Sequence, residues 1–195
     1  MINKIVLASK SRVRKKILNR NDINCEVFAA NIDEEKVKNL LVKEGANPLI
    51  VSKNLAELKS TKISEKIPEK IVLGVDSVID LEGELISKPK SREEALEILK
   101  KLSGKIHKLV SSVCISKNGS MIWNYTDASS LKMKSLDETD IKIYLDQLDD
   151  KVLFTYGVYQ IESIGSSLFE KIEGSKNTIM GLPIEKIKEY LSKLK

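Results

Sequence analysis

Cysteine, histidine and aromatic residues are scarce in this chain of 195 residues. The two cysteines, Cys25 and Cys114, lie far apart without CxxC-like spacing, which argues against a disulfide framework or a zinc site and fits a reducing compartment. The one histidine, His107, lies in a β-like segment, where a structural role is commoner than a catalytic one. Without it no Ser-His-acid or Cys-His set can be assembled, so that type of nucleophilic catalysis is not indicated.

Long apolar segments are absent as well. No run approaches the roughly 18 residues that a membrane-spanning helix requires. Residues 1–16 place a short apolar run before a basic cluster, the reverse of the order in a secretory signal peptide. We therefore expect a soluble, cytoplasmic protein with no membrane partner. The length and the 42% hydrophobic content suit one globular domain over residues 1–195.

Positive charge is in moderate excess, with a formal net charge of +5. The lysines are spread along the chain and aromatic residues make up only 5%, so the sequence shows no basic and aromatic platform for nucleic acid. We therefore expect no nucleic-acid partner. The excess charge either keeps the protein soluble or provides a diffuse field that gathers anions such as nucleotides, and composition leaves both explanations open.

Alternating strand-like and helix-like patterns predict a mixed α/β sheet. Strands are predicted at 4–8, 25–30, 70–79, 109–116 and 121–134, with hairpin turns at 82–83 and 117–119. A helix capped by Ser11 is predicted to reach about residue 18, and two more flank a break at 45–48, the second reaching about residue 66. A further helix begins at Ser91, where Ser91 and Glu94 have the spacing of a capping box. The last two are predicted over 137–148 and from Pro183 onward.

Two candidate site segments begin helices. In 7–14 a strand runs into a helix N-terminus that carries Ser9, Ser11 and Arg14, and free N–H groups at a helix start favour phosphate. Arg14 would add a bidentate grip, but capped basic helices are common without a ligand. The segment 32–35 is acidic, and acidic residues in a first helical turn are usually partners of the helix dipole.

A carboxylate lies inside an otherwise apolar strand at Asp76. Its burial costs free energy unless a cation or hydrogen-bond donors accompany it, so function and structure explain it equally well. Lys88 follows soon after, fixed before Pro89. Further on, glycines bracket polar and aromatic groups in 156–165, which predicts either a base-binding loop or a tight connection.

Taken in order, these segments resemble the motifs of the Maf family, the septum-formation-inhibitor-like nucleotide pyrophosphatases. The family's acidic pair corresponds to Asp33 and Glu34. Eight further family patterns have counterparts in the same order: LASxSPRR at 7–14, LAxxKA at 55–60, GADT at 74–77, xxKP at 87–89, LSGxxH at 102–107, GxYxIxxxG at 157–165, IEG at 172–174 and GLP at 181–183. Each motif is modest, but the ordered set spans nearly the whole chain and is highly specific.

The resemblance implies an elongated, twisted mixed α/β sheet flanked by helices, with two lobes around a nucleotide cleft, as in inosine triphosphatases. It also implies a homodimer that hydrolyses a nucleoside triphosphate between its α- and β-phosphates, giving a nucleoside monophosphate and pyrophosphate. Mg²⁺ or Mn²⁺ would be held by Asp76 and Glu34, with Asp33 a weaker candidate, and Asp76 would also orient or deprotonate the attacking water. The phosphates would be surrounded by Ser9, Arg14, Lys59 and Lys88.

Some positions depart from the family patterns and bear on the substrate. Arg12 and Val13 replace the usual Pro-Arg or Pro-Trp, and Ser77 stands where threonine or glutamine is common. Glu162 stands where pyrimidine-selective members carry glutamine. In Glu162 and in 177–178 the chain resembles the subgroup that acts on 7-methyl-GTP.

The residue at 162 also permits a physical argument about the base. A carboxylate only accepts hydrogen bonds, and guanine offers two adjacent donors, whereas uracil and thymine offer one donor between two acceptors. Methylation at N7 adds positive charge, which a carboxylate favours. Tyr159 is a candidate to stack on the base. The sequence thus predicts a modified or noncanonical triphosphate, with 7-methyl-GTP preferred; a pyrimidine-selective (dTTP/UTP) enzyme and a noncatalytic nucleotide-binding regulator of septation remain alternatives.

Overall fold

The computed structural model describes residues 4–194, whose centre is a seven-stranded mixed sheet. Its strands are β1 (Ile5–Leu7), β2 (Cys25–Val27), β3 (Val72–Leu81), β4 (Glu84–Ile86), β5 (Ile106–Lys117), β6 (Ser120–Met133) and β7 (Phe169–Glu173). The order is β2-β1-β3-β5-β6-β7, with β4 paired beside β3. β1 is parallel to β2 and β3, and the other pairs are antiparallel, which confirms the predicted mixed sheet.

Helices flank this sheet. They are α1 (Arg12–Arg20), α2 (Glu34–Lys43), α3 (Pro48–Lys66), α4 (Arg92–Leu102), α5 (Glu138–Asp146), α6 (Asp150–Tyr156), α7 (Lys176–Ile179) and α8 (Ile184–Lys193). The predicted caps are present, because the hydroxyls of Ser11 and Ser91 accept first-turn backbone N–H groups. Within residues 4–194, no helix is both long enough and apolar enough to cross a membrane.

One edge of β3 is paired at both ends but not in the middle. β1 pairs with its beginning, at Val72 and Leu73, and β4 pairs with its end, from Ile79 to Leu81. Asp76 and Ser77 lie in the interval between these two pairings. The other edge of β3 is paired with β5 along its length. The strand therefore presents polar residues at an opening in the sheet while it is held rigidly from the opposite side.

The core consists of three hydrophobic clusters. One packs α1 and α8 against β1, β3 and β5, and includes Leu18, Leu73 and Ile187. The second lies under α4, α5 and α6 and includes Leu99 and Leu153. The third and smallest is built from Val6, Ala8, Ala30, Ile63 and Val72. Apolar burial on both sides of the opening thus fixes the elements that surround it.

Gly74 allows α3 to lie unusually close to β3. A Cβ atom at Gly74 would lie 2.1 Å from the carbonyl oxygen of Ala56 and 2.7 Å from the backbone nitrogen of Ser60. Both atoms belong to the α3 backbone, so a flexible side chain cannot relieve the overlap. Lys59, on the adjacent turn of α3, is brought to β3 by this close contact.

Some elements were not predicted from the sequence. The helix predicted over 137–148 is present as α5, whereas α6, β7 and α7 have no counterpart among the predictions. These segments are short, and their apolar residues do not repeat over enough turns to show a period. The capping box at Ser91 also differs from the prediction, because the Glu94 carboxylate accepts the backbone N–H of Lys90 rather than that of Ser91.

Gly74→Ala is expected to destabilise the protein by about 3 kcal/mol or more, because the added methyl group overlaps two backbone atoms of α3. Gly83→Ala is the matched control, since a Cβ at Gly83 would have open space around it. This substitution should lower the free energy of unfolding by only about 1 kcal/mol, from backbone strain at φ +89°. Urea unfolding of both variants measures the difference. Equal midpoints for the two variants would contradict the close-contact account.

Candidate active site

A cavity of about 360 Å³ opens at the unpaired part of β3. It is lined by residues from all three hydrophobic clusters, so it lies where the parts of the fold meet. Concave sites of this size that combine apolar walls with a few converging polar groups are typical of ligand sites. The lining comes from 8–11, 29–32, 76–79, 86–88, 155–162 and 179–181, with two residues each from α1 and α2 and one each from α3 and β5.

A buried ammonium group joins two carboxylates in this cavity. Lys59 Nζ lies 2.8 Å from Asp76 Oδ1 and 2.9 Å from Glu34 Oε1. Asp76 is 4% exposed and Lys59 7%, whereas the Glu34 side chain is 44% exposed. The cluster connects β3, α3 and the first turn of α2, and places three of the residues named by the family motifs in direct contact.

Glu34 is held in its charged form by its neighbours. Burial alone would raise its pKa, but the ion pair with Lys59 and the positive charges of Lys38 and Lys88 outweigh burial and lower the pKa below its usual value. The carboxylate is therefore ionised at neutral pH and available to a cation.

The second oxygen of Asp76 fits a bound metal ion. Asp76 Oδ2 is buried and has no hydrogen-bond partner in residues 4–194. A buried, unpaired carboxylate oxygen is costly, and a hard divalent cation that prefers oxygen ligands would satisfy it. Two protein carboxylates suffice for Mg²⁺, which keeps phosphate oxygens and waters as further ligands. Among the described residues no three His, Cys, Asp or Glu side chains converge, so phosphate oxygens and waters would have to supply the remaining ligands.

Asp33, the weaker metal candidate, lies outside the cavity. Its side chain is exposed and accepts the backbone N–H of Lys36 at 3.1 Å as the N-cap of α2. The structure therefore gives Asp33 a capping role, and its neighbour Glu34 is the member of the acidic pair that faces the cavity.

The Arg14 side chain makes more hydrogen bonds within the protein than the sequence predicted. Its guanidinium donates to the carbonyls of Gly181 (3.0 Å) and Val75 (3.2 Å) and to the hydroxyls of Ser9 (3.1 Å) and Ser77 (2.9 Å). Arginine has five N–H donors, so only one is left without a partner among the residues that the structure describes. The bidentate grip on phosphate expected from the sequence is therefore wrong for this geometry, and Arg14 offers a single hydrogen bond.

Ser9 and Lys88 complete the predicted polar lining. Ser9 is 8% exposed, and its hydroxyl also accepts the backbone N–H of Ser11. Lys88 is exposed as a residue but its ammonium faces the cavity and donates to the carbonyl of Thr155. The loss of water around that ammonium, and then the charge of Arg14, lower the pKa of Lys88.

Tyr159 anchors the loop at 157–165 to the core. Its hydroxyl lies 2.8 Å from His107 Nε2, and its ring packs edge-on against Phe169 at 4.9 Å. Only 7% of the residue is exposed, which leaves little of the ring face accessible for stacking on a base. The structure therefore favours an anchoring role for Tyr159 over the base stacking expected from the sequence, and gives His107 the structural role that was expected.

The same loop presents Glu162 at the cavity. A Cβ at Gly165 would lie 2.6 Å from both the backbone nitrogen and the carbonyl oxygen of Gln160, so the glycine permits a tight reversal of the chain. The Tyr144 hydroxyl donates to the carbonyl of Val158 and fixes the start of the loop. Glu162 is exposed on the loop and lines the cavity.

Several polar residues of the site were not found from the sequence. Ser111 lies opposite Ser77 in the β3–β5 register, its hydroxyl 2.8 Å from that of Ser77, and it donates to the carbonyl of Thr178. This chain of bonds ties α7 to Arg14, and only strand register brings its members together. Lys38 also lines the cavity, and its position one helical turn after Glu34 is the sequence signal that points to it.

The fold and the site together define a class: a mixed α/β protein whose cleft combines two carboxylates with several cations, as a site for a phosphorylated anion requires. The profile described as Maf-like protein matches residues 4–194, and the chain belongs to the Maf family. The family resemblance noted in the sequence is thereby confirmed.

Similar proteins match all or nearly all of the chain. The chain is 60% identical over 195 residues to a nucleoside triphosphate pyrophosphatase of Pelagibacter ubique (strain HTCC1062), covering 100% of both proteins. It is 39% identical over 184 residues to a 7-methyl-GTP pyrophosphatase of Brucella abortus biovar 1 (strain 9-941), covering 94% of this chain and 92% of that one. The Staphylococcus aureus Ham1 protein superposes with a TM-score of 0.53 at 16% identity, covering 98% and 100% of the two chains, which supports the fold.

His107 is expected to make stability depend on acid pH. Burial lowers its pKa from 6.5 to about 4, and its Nδ1 has no acceptor among the described residues. Below pH 6.5 the unfolded chain binds a proton that the folded chain does not, so the stabilisation, complete above pH 6.5, is lost as pH falls towards 4. Between pH 7 and 4.5 the wild type should lose about 2 kcal/mol more than His107→Gln. Urea unfolding at both pH values tests this, and equal losses would contradict it.

Proposed function

We propose that this Maf-family protein is a nucleoside triphosphate pyrophosphatase that cleaves the bond between the α- and β-phosphates. The observation that supports this most strongly is the buried Asp76, with one oxygen paired to Lys59 and the other without a partner in residues 4–194, beside Glu34 in a cation-rich cavity. The names of the Pelagibacter and Brucella relatives support the same reaction.

Asp76 and Glu34 would hold a divalent metal, Mg²⁺ or Mn²⁺, with oxygen ligands of the kind these ions prefer. When bound, the metal supplies Lewis-acid stabilisation of the charge on the phosphate oxygens. Asp33, exposed and engaged as a helix cap, is the less suitable ligand.

The side chains of the chain itself would bind and orient the triphosphate. Lys59 fixes both carboxylates, and Lys88 and the remaining donor of Arg14 attract phosphate oxygens. Asp76 orients a water molecule and accepts its proton. The water oxygen forms a bond to the α-phosphorus as the bond from that phosphorus to the bridging oxygen breaks, and pyrophosphate leaves with the bond's electron pair. The second product is a nucleoside monophosphate.

Asp76→Asn is expected to reduce kcat by about 100-fold or more, because the neutral amide neither accepts the proton nor attracts a cation. Asp80→Asn is the matched control on the same strand, since Asp80 caps the hairpin turn and does not line the cavity. Release of pyrophosphate from 7-methyl-GTP, GTP, UTP, dTTP and CTP with Mg²⁺ measures the effect. Wild-type activity in Asp76→Asn would contradict the mechanism. Stable binding of intact nucleotide without turnover by the wild type would instead support a noncatalytic regulator.

We further propose 7-methyl-GTP as the preferred substrate. Glu162 lies on an anchored loop at the cavity, and its carboxylate only accepts hydrogen bonds, which suits the two donors of guanine and the positive charge of its N7-methylated form. Residues 177–178 are the other feature shared with the 7-methyl-GTP subgroup. The Thr178 hydroxyl donates to the Asp127 carboxylate, so this contact is internal to the protein.

Glu162→Gln is expected to shift the ratio of kcat/KM for UTP over 7-methyl-GTP by about tenfold towards UTP, because an amide both donates and accepts hydrogen bonds. Glu170→Gln, an exposed carboxylate on β7 outside the cavity, controls for the change in net charge. The ratio is measured for UTP and dTTP against 7-methyl-GTP. An unchanged ratio in Glu162→Gln would show that Glu162 does not select the base.

The family resemblance also supports a homodimer that acts in the cytoplasm. Light scattering coupled to gel filtration measures the assembly directly, and a mass near that of one chain would exclude the dimer.

A further inference from the structure

Lys38 is a buried lysine on α2 that none of the family motifs includes. Only 8% of the residue is exposed, although lysines are rarely buried without a partner. Its closest carboxylate oxygen, Glu35 Oε1, is 3.6 Å from Nζ, which is too long for a good hydrogen bond. The ammonium makes no hydrogen bond to any residue in 4–194, and the side chain lines the cavity.

Three other cations of the cavity use more of their donors within the protein than Lys38 does, whereas Lys10, which also lines the cavity, is an exposed residue. Lys59 is shared between two carboxylates, four of the five donors of Arg14 are used within the protein, and Lys88 donates to a backbone carbonyl. Lys38 therefore has more uncommitted donors than any of these three.

Lys38 also lies near the groups that handle charge in the cavity. It is one helical turn after Glu34 on the same face of α2. Its positive charge contributes to the lowered pKa of Glu34 and to that of Lys88, so the three groups are within electrostatic reach of one another. Since Asp76 and Glu34 would repel a polyphosphate, an additional free cation at this position offsets that repulsion.

We propose that Lys38 is a further substrate-binding residue, whose ammonium donates hydrogen bonds to the polyphosphate chain of the bound nucleotide. The substrate identity rests on the proposed function, but binding of a polyphosphate anion at Lys38 can be measured without turnover.

Isothermal titration of inorganic tripolyphosphate and pyrophosphate into the protein tests this inference. Lys38→Met keeps the buried methylene chain and removes the charge, and should weaken binding about tenfold, the loss of one charge-assisted hydrogen bond. Lys38→Arg should restore binding to within about threefold, because the cation is retained. Lys36→Met, two residues earlier on the exposed side of α2, removes the same charge and should change binding by less than about twofold.

Glu35→Gln separates anion binding from the local ion pair. If Lys38 acts on the anion directly, this variant should bind tripolyphosphate as tightly as the wild type or more tightly. Weakening equal to that of Lys38→Met would overturn the inference, because the ion pair would then be what matters. Lys38→Gln provides a second neutral variant should Lys38→Met fail to fold.

The outcomes distinguish this inference from the proposed function. Tripolyphosphate binding that depends on Lys38, in a protein that hydrolyses no nucleotide, would support the inference and refute the proposed reaction. Hydrolysis with unchanged tripolyphosphate affinity and unchanged KM in Lys38→Met would support the reaction and refute the inference.

Discussion

The geometry of the candidate active site depends on one buried ammonium group. Lys59 is bonded to both Asp76 and Glu34, and so it joins β3, α3 and α2 at the opening in the sheet. Gly74 makes this possible, because any larger residue would push α3 away from β3. Because Lys59 and Asp76 are both buried, removing either one would leave an uncompensated buried charge. The arrangement therefore holds two carboxylates in place before any ligand arrives.

A second set of contacts holds α1, β3 and α7 together beside the cavity. Arg14 binds Gly181 and Ser77, and through Ser111 the network reaches α7. The loop that carries Glu162 is fixed separately, by hydrogen bonds and aromatic packing in the hydrophobic cluster under α4, α5 and α6. Arg14 and the loop that carries Glu162 are thus each held in place by contacts within the protein. Such support keeps binding groups in a productive geometry and reduces the entropy lost when the substrate binds.

The sequence predicted the long strands, the capped helices and the family, because these depend on local periodicity and ordered motifs. It also named Asp76, Glu34 and Lys59, which the fold brings into contact. It did not predict the internal hydrogen bonds of Arg14, because these involve carbonyl groups from distant segments. The anchoring of Tyr159 was likewise not predictable, since it depends on which side of a loop meets the core. Roles set by tertiary contacts therefore had to come from the structure.

The central claim is that the cluster of Asp76, Lys59 and Glu34 is the metal and triphosphate site. A crystal structure with Mn²⁺ and a nonhydrolysable α,β-methylene nucleoside triphosphate tests it most directly, because anomalous scattering locates the metal independently of activity. We expect Mn²⁺ bound to Asp76 Oδ2 and to Glu34, with the phosphates against Lys59 and Arg14. Mn²⁺ and phosphates located elsewhere, with Asp76 Oδ2 hydrogen-bonded only to water, would contradict the account.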